Sequence, residues 1–201
     1  MNVVRKIAIG IIILCFTACK NKTTVSKTEE KSPDYITSVD FDRSVMQILD
    51  QDPKCNSFLK LVNAVELFEE IRAMNDIMVF VPTDEAYGPS KYLINELSFP
   101  DSLSRLEEII NYHFVKTEFD VENLISTIML KESPLRLETV HGGFLVFQIQ
   151  NGELQLLDEN GNVAKVSSKS TRGSNGVVYT IDRLLMPRVE TDVVSSISQG
   201  E

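Results

Sequence analysis

Five apolar residues in a row, Ile77-Met78-Val79-Phe80-Val81, run straight into Pro82-Thr83-Asp84-Glu85-Ala86-Tyr87. No polar residue interrupts the run, which suits a strand buried on both faces. Pro82 has no N–H to donate and ends the ladder. Thr83 is placed to cap a following helix through its hydroxyl, and Asp84 and Glu85 fall where the positive end of a helix dipole favours acids. The expectation is a core strand that turns sharply into a helix, and the remaining elements must cover both of its faces.

The N-terminus reads as a targeting segment. Arg5 and Lys6 precede a short apolar run from Ile7 to Phe16, and Thr17-Ala18 are small residues just before Cys19. A membrane-spanning helix needs about 20 apolar residues, and polarity begins here at Lys20. The pattern resembles a bacterial lipoprotein signal, with Phe16 where such signals usually carry leucine. That resemblance implies cleavage after residue 18 and lipidation of Cys19. An ordinary secretory signal is the competing reading. Several acyl chains on one cysteine hold firmly, at about 0.8 kcal/mol per buried methylene. Lys20-Asn21 lacks the aspartate that retains some lipoproteins at the inner membrane, so the outer membrane is preferred. Of the three cysteines, Cys15 leaves with the signal and Cys19 is acylated. Cys55 is then alone, without a disulfide partner, and is expected to be a buried structural thiol.

The net charge is −9. Loss of Arg5 and Lys6 with the signal leaves 18 basic against 29 acidic side chains, a net −11. Nucleic-acid binding needs a basic footprint that this chain lacks. Residues 19–37 form the lipidated N-terminus and a tether rich in Lys, Thr, Ser and Glu. Fully extended, such a tether reaches about 60 Å. Residues 38–187 are read as one domain, expected to be monomeric, and 188–201 as a tail.

Within the domain, helices come first and strands last, an α+β pattern. Helices are expected at Ser44–Asp50 and at Asn56–Met74 with a break near Val65–Leu67. Further helices are expected at Ser90–Leu97, from a capping box of Ser104 with Glu107, and at Val121–Thr127. Strands are expected at Ser133–Val140, Phe144–Gln150, Glu153–Asp158, Val163–Val166 and Gly176–Asp182. Asn151-Gly152 is a two-residue hairpin signal, and its register places Ile149 opposite Leu154 and Phe147 opposite Leu156.

Three segments together resemble the fasciclin domain family. They are Ile77–Tyr87, the stretch Leu106–Val115 with its Tyr112-His113 pair, and Asn175–Pro187, which reads asparagine-glycine, apolar residues, Ile181-Asp182 and a final proline. The resemblance spans Phe41 to Pro187 and implies a wedge of two β-sheets flanked by helices. It also implies an extracellular adhesion or binding module, not an enzyme. In animal relatives the Tyr-His pair is implicated in receptor binding, and an aspartate near the last motif in integrin contact. Tyr112, His113 and Asp182 are therefore the candidate partner-binding residues. The local reading is different: Tyr112 packs on the sheet, His113 bonds at its helix end, and Asp182 closes a strand by accepting N–H bonds.

Other chemistry finds little footing. Asp158, Asn160 and Asn162 imitate the start of a calcium loop, but Val163 and Lys169 occupy the positions that need Gly and Glu. His113 and His141 lack Cys or His partners at zinc spacing. Arg172-Gly173-Ser174-Asn175-Gly176 is not a nucleophile elbow. No phosphate-cradling glycine loop occurs, and Met74 and Met78 fill core. No catalytic residue, metal or cofactor is expected. The function expected is a lipid-anchored module of the cell envelope that holds a surface protein or polysaccharide. A carrier of a small apolar or lipid ligand, using a cleft between sheet and helices, is the alternative.

Overall fold

The computed structural model describes residues 38–189, apart from 91, 93–94, 97–98 and 118–120. The targeting segment, Cys19, the tether and the tail beyond 189 lie outside the described residues, as does much of the helix expected at Ser90–Leu97.

The apolar run forms strand β2 (Ile77–Pro82), buried at every position. Its alternation divides the interior in two. Ile77, Val79 and Val81 join a cluster with Val45, Phe58, Ile71, Ile109 and Phe114. Met78 and Phe80 join the other, with Val121, Leu124, Phe147, Leu156 and Tyr179. Successive strand side chains point to opposite faces, so one segment contributes to two cores.

Helices α1 (Val45–Asp50), α2 (Asn56–Ala64), α3 (Phe68–Ala73) and α4 (Leu103–Tyr112) cover the first face. Ser44 and Gln47 form a reciprocal capping box on α1. The break between α2 and α3 comes where expected. Glu66 takes a positive φ of 58°, Glu66 N–H donates to Asn63 O and Leu67 N–H to Val62 O, a paired closure of the helix end. Three expectations are corrected. Asp84–Ser90 is a 3-10 turn, not a capped α-helix, because Asp84 serves another helix. Its carboxylate accepts from Ser57 N–H at 2.7 Å, in the first turn of α2, whose own N-cap Cys55 offers no side-chain bond. Ser104 and Glu107 lie inside α4, which the 3-10 turn Pro100–Ser102 starts earlier. Helix α5 (Val121–Lys131) runs past Thr127, because Val121, Leu124, Ile125 and Ile128 keep one apolar stripe.

The strands join in one hydrogen-bonded path, β3-β2-β8-β7-β6-β5-β4. Here β3 is Phe114–Lys116, β4 Leu135–Glu138, β5 Phe144–Gln150, β6 Glu153–Leu157, β7 Val163–Arg172 and β8 Gly176–Ile181. β2 and β8 are parallel. The ends of the path approach each other through the bridge Val115–Thr139 and a bond from Val140 N–H to Phe114 O, so the sheet is nearly barrel-shaped. β5 and β6 pair Ile149 with Leu154 and Phe147 with Leu156, around a turn with positive φ at Asn151 and Gly152. β7 is longer than its apolar residues suggest. It pairs with β6 at one end and β8 at the other, with an irregularity between Val166 and Ser170 where it changes partner. A two-residue strand β1 (Ser38–Val39), not foreseen, lies parallel to the far end of β7.

Asn175-Gly176 shows why its motif has that form. Asn175 Oδ1 accepts from Val45 N–H, and its amide donates toward the carbonyls of Ile71, Arg72 and Met74 at the end of α3. Gly176 lets β8 start against β2: a Cβ there would lie 2.1 Å from Ile77 O. Gly176→Ala is expected to lower unfolding free energy by about 3 kcal/mol, the upper range for overpacking, read from urea denaturation at unchanged slope. A loss below about 0.5 kcal/mol would contradict this close approach.

Candidate functional site

The site builds from the end of α4. Its last residue, Tyr112, and the following His113 are both fully buried. His113 Nδ1 lies 2.7 Å from Ile109 O, and Leu185 N–H donates to His113 Nε2 at 3.1 Å. Because Nε2 must accept, Nδ1 carries the proton, and the ring is neutral. The His113 carbonyl accepts from Phe80 N–H in β2, and the imidazole packs on Phe58 with ring centres 5.3 Å apart. Burial pulls its pKa down to about 4, against the smaller opposing effect of its bond to Ile109.

Tyr112 reaches the other way. Its hydroxyl donates to Phe144 O at 2.6 Å and accepts from Glu159 N–H at 3.0 Å, joining α4 to β5 and to the turn after β6. Burial raises its pKa. That turn is organised by Asp158, whose carboxylate accepts from Asn160 N–H, Asn162 N–H, the Asn162 amide and Met186 N–H. It is a self-bonded hairpin turn with Gly161 at positive φ. Asp182, exposed at the end of β8, accepts from Lys165 N–H at 2.7 Å through Oδ1. It borders an open hollow with Thr83, Glu153, Lys165, Ser167 and Thr180. Of the three candidate residues, Tyr112 and His113 are neighbours in the interior and Asp182 stands apart from them at the surface. Cys55 is buried, and desolvation with Asp52 and Asp84 nearby pushes its thiol up to about 12.

Beside Tyr112 lies a cleft of about 720 Å³ that the sequence did not disclose. Arg105 of α4, Arg136 of β4, His141-Gly142-Gly143, Phe144, Glu159 and Arg188 meet there. Its floor is tight: a Cβ on Gly143 would come within 2.9 Å of Glu159 Oε2 and 3.0 Å of the Tyr112 ring. These residues come from five separate stretches of chain, and no spacing links them. The His141-Gly142-Gly143 turn was the only visible hint. The carrier alternative calls for an enclosed apolar cavity, whereas this cleft and the Asp182 hollow are open and lined largely by charged and hydroxyl groups. Among the described residues no group of three or more His, Cys, Asp or Glu could hold a metal ion, and no helix is long and apolar enough to cross a membrane.

A helix-flanked, nearly closed sheet whose motif residues brace its own frame defines the class. Residues 53–187 match the Fasciclin domain, and the chain belongs to that family. It is similar to Protein sll1483 of Synechocystis sp., 22% identical over 161 residues that cover 80% of this chain and 82% of the relative. It is similar to human periostin, 27% identical over 153 residues, covering 73% of this chain but 16% of periostin. A solved fasciclin-domain pair from the insect cell adhesion molecule fasciclin I shares the fold, with a TM-score of 0.60 at 17% identity. That match covers 73% of this chain and 51% of the pair.

His113 ties stability to pH. Its folded pKa of about 4 lies below the ordinary 6.5, so the unfolded chain takes the proton first. The contribution of the neutral ring is fully present above pH 6.5 and is lost as pH falls from there toward 4. Between pH 7.5 and 4.5 the wild type should lose about 2–3 kcal/mol more than His113→Gln, measured by urea denaturation, since the carboxylates common to both cancel. Parallel pH curves for the two proteins would refute the buried neutral ring. Tyr112→Phe removes both hydroxyl bonds and should cost about 1–3 kcal/mol, seen as a lower melting temperature.

Proposed function

We propose that this chain is a lipid-anchored fasciclin module of the cell envelope that holds a macromolecular partner outside the cytoplasm. The observation that carries this reading is the inward use of the family's motif residues. Tyr112 and His113 bond to backbone on all sides, and Asn175 bonds α1 and α3. The motifs build a rigid frame, and rigid frames present binding surfaces on loops and clefts. The resemblance of fasciclin I, a cell adhesion molecule, supports holding over transforming. In this reading Tyr112 and His113 act on partners only through the frame, and Asp182 remains a surface candidate.

The anchor is Cys19 and the domain is residues 38–187, lifted from the membrane by the tether. Anchoring confines many copies to one surface, so weak contacts add. The reading prefers the outer membrane. The full-length chain should partition with the membrane fraction, and Cys19→Ala should move most of it to the soluble fraction with an unchanged melting temperature. Equal partitioning of both proteins would defeat the anchor. Protease shaving of intact cells should remove the domain, and complete protection would defeat adhesion to an external partner.

A further inference from the structure

We propose that the cleft beside Gly142-Gly143 binds the carboxylate groups of an acidic polysaccharide. The proposal rests on the reading of the domain as a binding module and names the chemistry of its partner.

The first argument is the inventory of donors and acceptors. Three carboxylates border the cleft and the hollow that adjoins it, and all are occupied. Glu108 receives Arg105 at 2.5 Å. Glu159 accepts from Phe144 N–H and Arg188 N–H, each at 3.2 Å. Asp158 accepts from its own turn and from Met186. Arg105 is engaged as well, donating also to Pro187 O. Arg136 and Arg188 differ: among the described residues neither guanidinium has a carboxylate within ion-pair distance. Each offers five N–H donors and no acceptor. The cleft is thus rich in unused donors, in a chain whose net charge is −9.

The second argument is geometry. The Arg136 guanidinium lies over the Phe144 ring, 3.7 Å from its centre. Stacking holds the plane and leaves the edges, where the N–H groups are, free to grip a planar anion. Arg188 is delivered by the bond from its own N–H to Glu159, and Tyr112 in turn receives the Glu159 N–H. The frame therefore fixes the backbone that carries the second cation.

Shape selects the partner. A neighbouring hollow of about 290 Å³ shares Arg136, Phe144, Glu159 and Arg188 with the cleft, so the two adjoin. Two adjoining open hollows on the same pair of arginines suit a run of charged sugars better than a single ion. Peptides are held by strand addition, by an apolar anchor in a pocket, or by arginines that read acidic groups, and poly-glutamate probes the last of these. Here the Phe144 face is covered by Arg136, so the ring is not open as an apolar anchor. With the local carboxylates close by, each contact is weak, and strength comes from repetition along a polymer facing many anchored copies.

The test uses the full-length chain, with polygalacturonate, uncharged dextran and poly-glutamate as probes in calorimetric titrations at low and high salt. Polygalacturonate should bind, should weaken in high salt, and should lose at least tenfold in affinity in the double variant Arg136→Gln, Arg188→Gln at an unchanged melting temperature. Arg183→Gln, an exposed arginine outside the cleft, should match the wild type. Dextran binding as tight as polygalacturonate, poly-glutamate binding as tight, or an unaffected double variant would each overturn the site. Capture of a neutral polymer or a protein by both wild type and double variant would overturn the site while leaving the binding-module reading intact. A domain that binds no polymer and is protected from protease on intact cells would remove both.

Discussion

The arrangement depends on one imidazole used in both directions at once. His113 gives its Nδ1 proton to the helix that precedes it and takes a backbone proton from Leu185 at Nε2. Only the neutral ring in one tautomer satisfies both partners. Its own carbonyl receives Phe80 of the central strand. One residue thus fixes the end of α4, the register of β2 and the path of the segment after β8. From Leu185 that segment runs to Met186, received by Asp158, and on to Arg188. The position of a surface cation is a downstream effect of a buried ring.

The fold recurs in a solved fasciclin-domain pair only 17% identical to this chain. Much of its specification lies in side chains that bond to backbone, as Tyr112, His113, Asp158 and Asn175 do. Such bonds are indifferent to the side-chain identity of their partners. The apolar residues between them need only fill volume, which cores accept in many combinations.

The parts legible in the sequence were those governed by local rules. The buried strand followed from five unbroken apolar residues, the β5–β6 register from Asn151-Gly152, and the α2–α3 break from the lapse of helical spacing. What local rules could not show was service at a distance. Asp84 has the look of the start of its own helix and instead caps the first turn of α2 at Ser57. Ser104 and Glu107 had capping spacing but lay within a helix that Pro100 had already opened. The second half of β7 is polar in sequence, yet its end is held in the sheet by backbone bonds to β8 and, at Thr171 and Arg172, to β1, which an apolar pattern does not reveal. For the site, the Tyr112-His113 motif was plain, but its inward direction depends on the sheet packed against it. Beyond the His141-Gly142-Gly143 turn the cleft has no sequence signal, since Arg105, Arg136 and Arg188 meet only after folding.

Strand β1 carries a mechanical consequence. It is two residues long, and the chain enters the domain through it. Beyond the ladder itself it is held by the Ser38 hydroxyl against Ser170 and Thr171 and by the bond from Asp40 N–H to Arg172 O. Tension drawn from the N-terminal side meets this small clasp before it reaches α1 or either core. Yielding of the clasp would free a few residues while the interior stays folded, like a fuse placed ahead of the circuit it protects.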